Sequence, residues 1–176
     1  ENMVWADTQG NIGWQAVGIV PLRPNWNGLV PVPGDGRFEW DGYLPIHELP
    51  HALNPAEGFI ATANQENLPL GYPYPISYYW LEPYRFARIA ELLTQAKRLT
   101  AREMMELQSD EYSIPARLLV PFLKDLKSAD TLVQAAVKKL QAWDFVLDKK
   151  SVAAGIYAAW QRQLWKKFRN THVPES

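Results

Sequence analysis

Two side chains in this 176-residue chain are of the right types to steady a negatively charged oxygen. Asn64 stands just after Gly58-Phe59-Ile60-Ala61, an apolar stretch whose pattern predicts a short buried strand over Phe59 to Ala63. Arg85 returns from the first turns of a helix that opens near Glu82. An amide donor and a fixed cation, both on rigid elements, can stabilise the oxyanion formed when an amide carbonyl is attacked. Both residue types also have plainer uses: asparagine after a strand is a common turn former, and arginine early in a helix is a common surface residue. A nucleophile is not recognisable. There is no cysteine, none of the six serines adjoins a histidine-bearing motif, and no G-x-S-x-G, phosphate loop or dinucleotide fingerprint occurs. The pattern reads as part of an amide-cleaving site rather than a whole one.

Two other constellations invite chemistry. His47-Glu48-Leu49-Pro50-His51 is a literal H-E-x-x-H. In zinc peptidases that spacing works because a helix places both imidazoles on one face. Here Pro50 sits between the histidines, and proline inside a helix costs about 3 kcal/mol. The expectation is therefore a loop whose imidazoles do not converge, and no metal ligand is assigned. The aromatic run Tyr72, Tyr74, Tyr78, Tyr79, Trp80 and Tyr84 can stack on a flat ligand, which keeps a non-catalytic aromatic-lined binding module as the alternative reading. It can equally pack a loop onto its surroundings.

The elements that must position these residues follow from composition. Net charge is −1, with 18 basic and 19 acidic residues, so no polyanion-binding surface is indicated and no nucleic-acid partner is expected. No apolar run approaches the roughly 18 residues of a membrane span, and no signal-peptide pattern occurs. Eleven of the fourteen prolines and nine of the ten glycines fall at or before Pro83. Residues 1–81 are thus expected to be strands and ordered loops, and residues 82–176 helical. Met3 to Asp7 and Ile12 to Val20 read as a hairpin about Gly10-Asn11. Ile89, Leu92, Leu93 and Ala96 mark a first helix; Thr100 with Glu103 forms a capping box for a second. Ser113, with Pro115 after it, opens a third. Val133, Ala136, Val137, Leu140 and Trp143 mark a fourth. Ser151 opens a fifth, with Val152, Ile156, Trp160, Leu164 and Phe168 spaced four apart. Together these predict an α+β fold.

At the same residues the chain closely resembles the penicillin acylase family of N-terminal nucleophile hydrolases. The resemblance runs through Asn2-Met3-Val4-Trp5-Ala6-Asp7, Gly10-Asn11-Ile12-Gly13, the PVPGDG of Pro31 to Gly36, Gly42 to Pro45, the NPAEGFIATAN of Asn54 to Asn64, and the YRFARI of Tyr84 to Ile89. It continues more loosely to the helix around Trp160. It implies a fragment of a β chain, contributing part of an αββα sandwich and a helical subdomain, both within one larger catalytic domain.

The resemblance also implies a chemistry. In the family a precursor cleaves itself and exposes a serine, whose hydroxyl attacks an amide carbonyl while its own α-amine acts as base. An asparagine side chain and a backbone N–H hold the oxyanion; Asn64 matches that asparagine, and Arg85 matches an arginine that orders the site. The implied substrate is a small acyl amide of penicillin, cephalosporin or N-acyl homoserine lactone type. The implied partners are the α chain and the N-terminal part of the β chain. No cofactor is needed for the chemistry. A structural calcium ion is left open for the parent enzyme without a ligand here, since Tyr72-Pro73-Tyr74-Pro75 carries no carboxylate where the family has an aspartate. The nucleophile itself is expected outside this chain, and the compartment to be periplasmic or extracellular.

Overall fold

The residues between the first two apolar runs carry their own instructions for a chain reversal. In the computed structural model, which describes residues 1–96 and 98–172, the Asp7 carboxylate accepts from the Gln9 N–H (2.9 Å), the Asn11 N–H (2.8 Å) and the Asn11 side chain (2.7 Å). These donors, the Asn11 side chain foremost, hold the Asp7 carboxyl below its usual range. Gly10 supplies the positive φ of the turn, 90°. The reversal pairs β1 (Asn2–Ala6) with β2 (Ile12–Ala16) in antiparallel register, Val4 opposite Trp14. The Trp5 ring lies over Gly13, where a Cβ would come within 2.2 Å of the indole.

β2 ends earlier than the expected Val20. Gly18 and Pro21 are poor ladder residues, and from Val20 the chain pairs instead with a returning segment. The Leu44 N–H donates to the Val20 carbonyl (2.8 Å), and the Leu22 N–H to the Gly42 carbonyl (3.0 Å). β3 (His51–Leu53) completes a sheet of order β1-β2-β3, with Trp14 opposite Ala52. Asn54 ties off that edge: its Oδ1 accepts from the Ile12 N–H and its amide donates to Asn11 Oδ1, each at 2.9 Å.

The expected strand at Phe59 to Ala63 does not form; residues 58–63 have no ladder partner among the described residues. The physical reason is visible at Ala63. Its N–H donates to Gln65 Oε1 (2.7 Å), and its carbonyl accepts from Arg85 Nη2 (2.7 Å). Side chains satisfy the groups that a neighbouring strand would use. Downstream, α1 (Tyr84–Gln95) follows Pro83; Ile89, Leu92 and Leu93 are half-buried, as is the whole run from Phe86 to Leu93, and Ala96 is its C-cap.

The chain divides into two compact units, residues 1–97 and 98–176, with α1 in the first. The second unit shows the expected caps. Thr100 Oγ1 accepts from the Glu103 N–H (3.2 Å) while the Glu103 carboxylate accepts from the Thr100 N–H (2.7 Å), opening α2 (Ala101–Gln108). Ser113 Oγ accepts from the Ala116 N–H (3.2 Å) at the start of α3 (Ile114–Leu119), which runs on into a 3-10 turn at Val120–Leu123. α4 (Thr131–Gln141) opens on Asp130, a cap not anticipated from the sequence, whose carboxylate accepts from the Leu132 N–H (2.8 Å). Ser151 Oγ accepts from the Ala154 N–H (3.2 Å) at the head of α5 (Val152–His172).

The buried face of α5 differs from the four-residue stripe. Ala154 and Tyr157 are buried, flanked by Ala153, Ile156 and Trp160, whereas Val152, Leu164 and Phe168 are exposed. A residue advances about 100° around a helix, so steps of four drift by about 40° each and leave the packed face within a few turns. The core of this unit joins Ala116, Val120, Leu140, Trp143, Ala154 and Tyr157. The architecture is thus α+β, with a three-stranded sheet and five α-helices among the described residues. No helix among the described residues is long and apolar enough to cross a membrane.

Candidate active site

The site is built on a three-residue reversal at Ala63-Asn64-Gln65. Asn64 occupies the left-handed region, φ 62°, which asparagine tolerates better than most residues with a Cβ. Its backbone carbonyl accepts from the Leu81 N–H (2.9 Å), joining the reversal to the segment that leads into α1. The first turn of α1 then delivers Arg85. One guanidinium nitrogen, Nη2, donates to both the Ala63 carbonyl (2.7 Å) and Asn64 Oδ1 (2.9 Å).

That contact decides which way the Asn64 amide faces. Arginine carries donors only, so it pairs with the amide oxygen and turns the amide nitrogen away. Asn64 Nδ2 has no hydrogen-bond partner among the described residues, and Asn64 is exposed at the wall of an open cleft of about 580 Å³. The cleft is partly amide-lined, by Asn64, Asn67 and Asn2, and partly apolar, by Val20, Ile76 and Trp80. Asn2 and Asn67 are themselves held: Asn2 Oδ1 accepts from Trp14 Nε1 (2.7 Å) and from the Asn67 amide (2.9 Å). An amide whose oxygen is already held, beside a cleft with apolar walls, suits a developing oxyanion next to an acyl group.

The structure therefore brings Asn64 and Arg85 into direct contact across 21 residues of sequence. It does not assemble the H-E-x-x-H. His47 and Glu48 lie in a 3-10 turn, Ile46–Glu48, and His51 begins β3 after Pro50, so no helix runs through the motif. His51 Nδ1 is 2.9 Å from the Leu49 carbonyl oxygen, while His47 Nε2 lies 3.9 Å from Glu48 Oε1. Among the described residues no three His, Asp or Glu side chains gather as a metal site would require.

The aromatic run divides by role. Tyr72 donates its hydroxyl to the Glu48 carbonyl (2.8 Å) and meets Tyr74 edge-on at 5.9 Å. Burial, followed by the nearby Glu48 carboxylate, pushes the Tyr72 phenol up; the hydrogen bond to the Glu48 side chain does the same for Tyr74. These two rings pack a loop onto the 46–48 turn. Tyr79 and Trp80, by contrast, line the cleft. Reasoning from sequence passed over Gln65, which is buried and bonded to Ala63. The one available signal was its place directly after Asn64.

Comparison with known proteins converges on one group. The Penicillin amidase family model matches residues 1–175. The chain is 34% identical over 181 residues to acyl-homoserine lactone acylase QuiP of Pseudomonas fluorescens, covering 94% of this chain and 22% of that protein. It is 33% identical to the penicillin acylase 2 proenzyme of Pseudomonas sp., covering 93% and 21% respectively. A thermostable penicillin G acylase from Alcaligenes faecalis has a similar structure: TM-score 0.76, 27% identity, 99% of this chain and 33% of that one. The chain spans about a fifth of the length of these curated relatives.

Proposed function

The chain belongs to the penicillin amidase family, and from that premise we propose that it is a β-chain portion of an N-terminal nucleophile acylase that hydrolyses an acyl amide to a carboxylic acid and an amine. The observation that carries the reading is the Arg85–Asn64 hydrogen bond of 2.9 Å, which leaves Asn64 Nδ2 as a free donor at the cleft. In the reaction, a serine from elsewhere in the precursor attacks the amide carbonyl. Its α-amine takes the hydroxyl proton. The carbonyl oxygen becomes an alkoxide and is stabilised by the Asn64 amide. Collapse of the tetrahedral adduct breaks the C–N bond as the α-ammonium returns its proton to the leaving nitrogen, which departs as the amine. Water then attacks the acyl-serine, giving one proton back to the serine oxygen through the α-amine and freeing the acid. Val20, Ile76, Tyr79 and Trp80 offer the acyl group an apolar wall. The relatives' names include both acyl-homoserine lactone acylases and penicillin acylases, and both substrate types stay within the reading.

Arg85 is assigned an ordering role. It holds the Asn64 oxygen and the Ala63 carbonyl from a single nitrogen. A calcium ion would find phenols and prolines at residues 72–75 but no carboxylate, so no step is assigned to one. The self-processing of the precursor, its α chain and a periplasmic or extracellular site all follow from the family reading.

Two measurements test this. The isolated 176-residue chain should not turn over chromogenic acyl amides, because the family's serine and its α-amine have no match in it; turnover above a denatured control would show that the chemistry has been misplaced. In the full-length enzyme, Arg85→Lys should lower kcat about 10-fold, since lysine keeps the charge but its nitrogen stands one bond short of the Nη2 position that holds both acceptors. Unchanged kcat together with unchanged precursor maturation would remove Arg85 from the site.

A further inference from the structure

We infer that Gln65 is a positioning residue for the oxyanion donor: its buried side chain closes the reversal that holds Asn64 in the left-handed conformation. The inference rests on the acylase reading of Asn64. Gln65 is 5% exposed, and its Oε1 accepts from the Ala63 N–H at 2.7 Å. This bond runs from a side chain to the backbone two residues earlier, so it forms a ring with Asn64 at its tip.

Three further bonds secure the same tip. The Ala63 carbonyl and Asn64 Oδ1 are held by Arg85, and the Asn64 carbonyl by the Leu81 N–H. Each leaves something free that the others constrain. Arg85 fixes the outer face of the turn and the amide oxygen, and Leu81 fixes the exit of the chain. Only Gln65 holds the inner N–H of Ala63, a residue itself 8% exposed. Without Gln65 that N–H is buried with no acceptor, and the backbone relieves the penalty by rotating toward water or another carbonyl. A non-glycine residue at φ 62° survives where its surroundings over-determine it. Rotation at Ala63–Asn64 would carry the amide nitrogen off its line to the carbonyl oxygen, and misplacement of about 1 Å costs up to roughly 100-fold in rate.

The test is a pair of variants in the full-length processed enzyme. Gln65→Met keeps the length and apolar body but has no oxygen acceptor for the Ala63 N–H; Gln65→Glu keeps the acceptor. Gln65→Met should lower kcat roughly 10- to 100-fold with little change in KM, and Gln65→Glu should restore most of it. In an Asn64→Ala background, Gln65→Met should have almost no further effect, because there is no donor left to aim. A crystal structure of Gln65→Met should show Asn64 out of the left-handed region or its Arg85 bond broken. Should Gln65→Met fail to mature, Gln65→Asn, too short by one methylene to reach Ala63, takes its place with the same expectation.

Normal kcat in a folded Gln65→Met enzyme overturns the inference. So does an equal loss of kcat in the Asn64→Ala background, which would mark Gln65 as general packing. The acylase reading is judged separately. If Asn64→Ala itself keeps its turnover, the oxyanion assignment falls; if it loses turnover while Gln65→Met does not, only the positioning role falls.

Discussion

In the full-length enzyme, Asn64→Ala should lower kcat by roughly 100-fold or more, about 3 kcal/mol of transition-state stabilisation, with KM comparatively unchanged. The split follows from when the bond matters. On the oxyanion reading, a neutral substrate carbonyl would accept only a weak hydrogen bond from Asn64 Nδ2, whereas the alkoxide of the tetrahedral adduct would accept a charge-assisted one. Asn64→Asp sharpens the test. Aspartate keeps the shape, tolerates the left-handed backbone and would bond Arg85 more strongly, yet it replaces the donor with a second acceptor. If Asn64 served only to shape the turn, the aspartate enzyme would be active. On the oxyanion reading it is at least as impaired as the alanine one. Steady-state kinetics on correctly processed protein decides, and most of the wild-type turnover in either variant would sink the assignment.

The second large effect concerns stability. Tyr157→Ala should destabilise the helical unit by about 3–5 kcal/mol, the range for removing a buried aromatic side chain. Tyr157 is 2% exposed and its ring meets Trp143 at 5.5 Å and Trp160 at 6.1 Å, linking α5 to the segment just after α4. Truncation removes the central ring of that stack and leaves a cavity among Ala116, Val120 and Leu140. Hydrogen exchange on the full-length protein should show lost protection of the α3, α4 and α5 amides. Unaltered protection there would mean that the core lies elsewhere.

Much of the local structure was legible in the residues because its causes are local. The hairpin at Asp7 to Asn11, the Thr100–Glu103 capping box and the Ser113 and Ser151 caps each depend on side chains within four residues of the backbone they serve. Pro50 dismantled the H-E-x-x-H for the same reason: a backbone that cannot be helical there cannot align two imidazoles. Asn64 and Arg85 could be singled out as residue types able to serve an oxyanion, and the family resemblance named their roles. Sequence alone left open whether they meet.

Their meeting, and the details that the pattern misjudged, are tertiary. Phe59 to Ala63 has the composition of a strand, yet a strand exists only by pairing, and here Gln65 and Arg85 take the hydrogen-bonding groups of Ala63. The direction of the Asn64 amide was beyond any spacing argument, because it depends on a guanidinium 21 residues away that can only donate. The packed face of α5 was set by the cluster that Ala154 and Tyr157 join with Ala116, Val120, Leu140 and Trp143, since a four-residue repeat drifts off any one face of a helix. Local chemistry determined where the chain turns and where its helices begin. Which atom of the Asn64 amide is held and which is left as a donor was decided only when distant segments closed on one another.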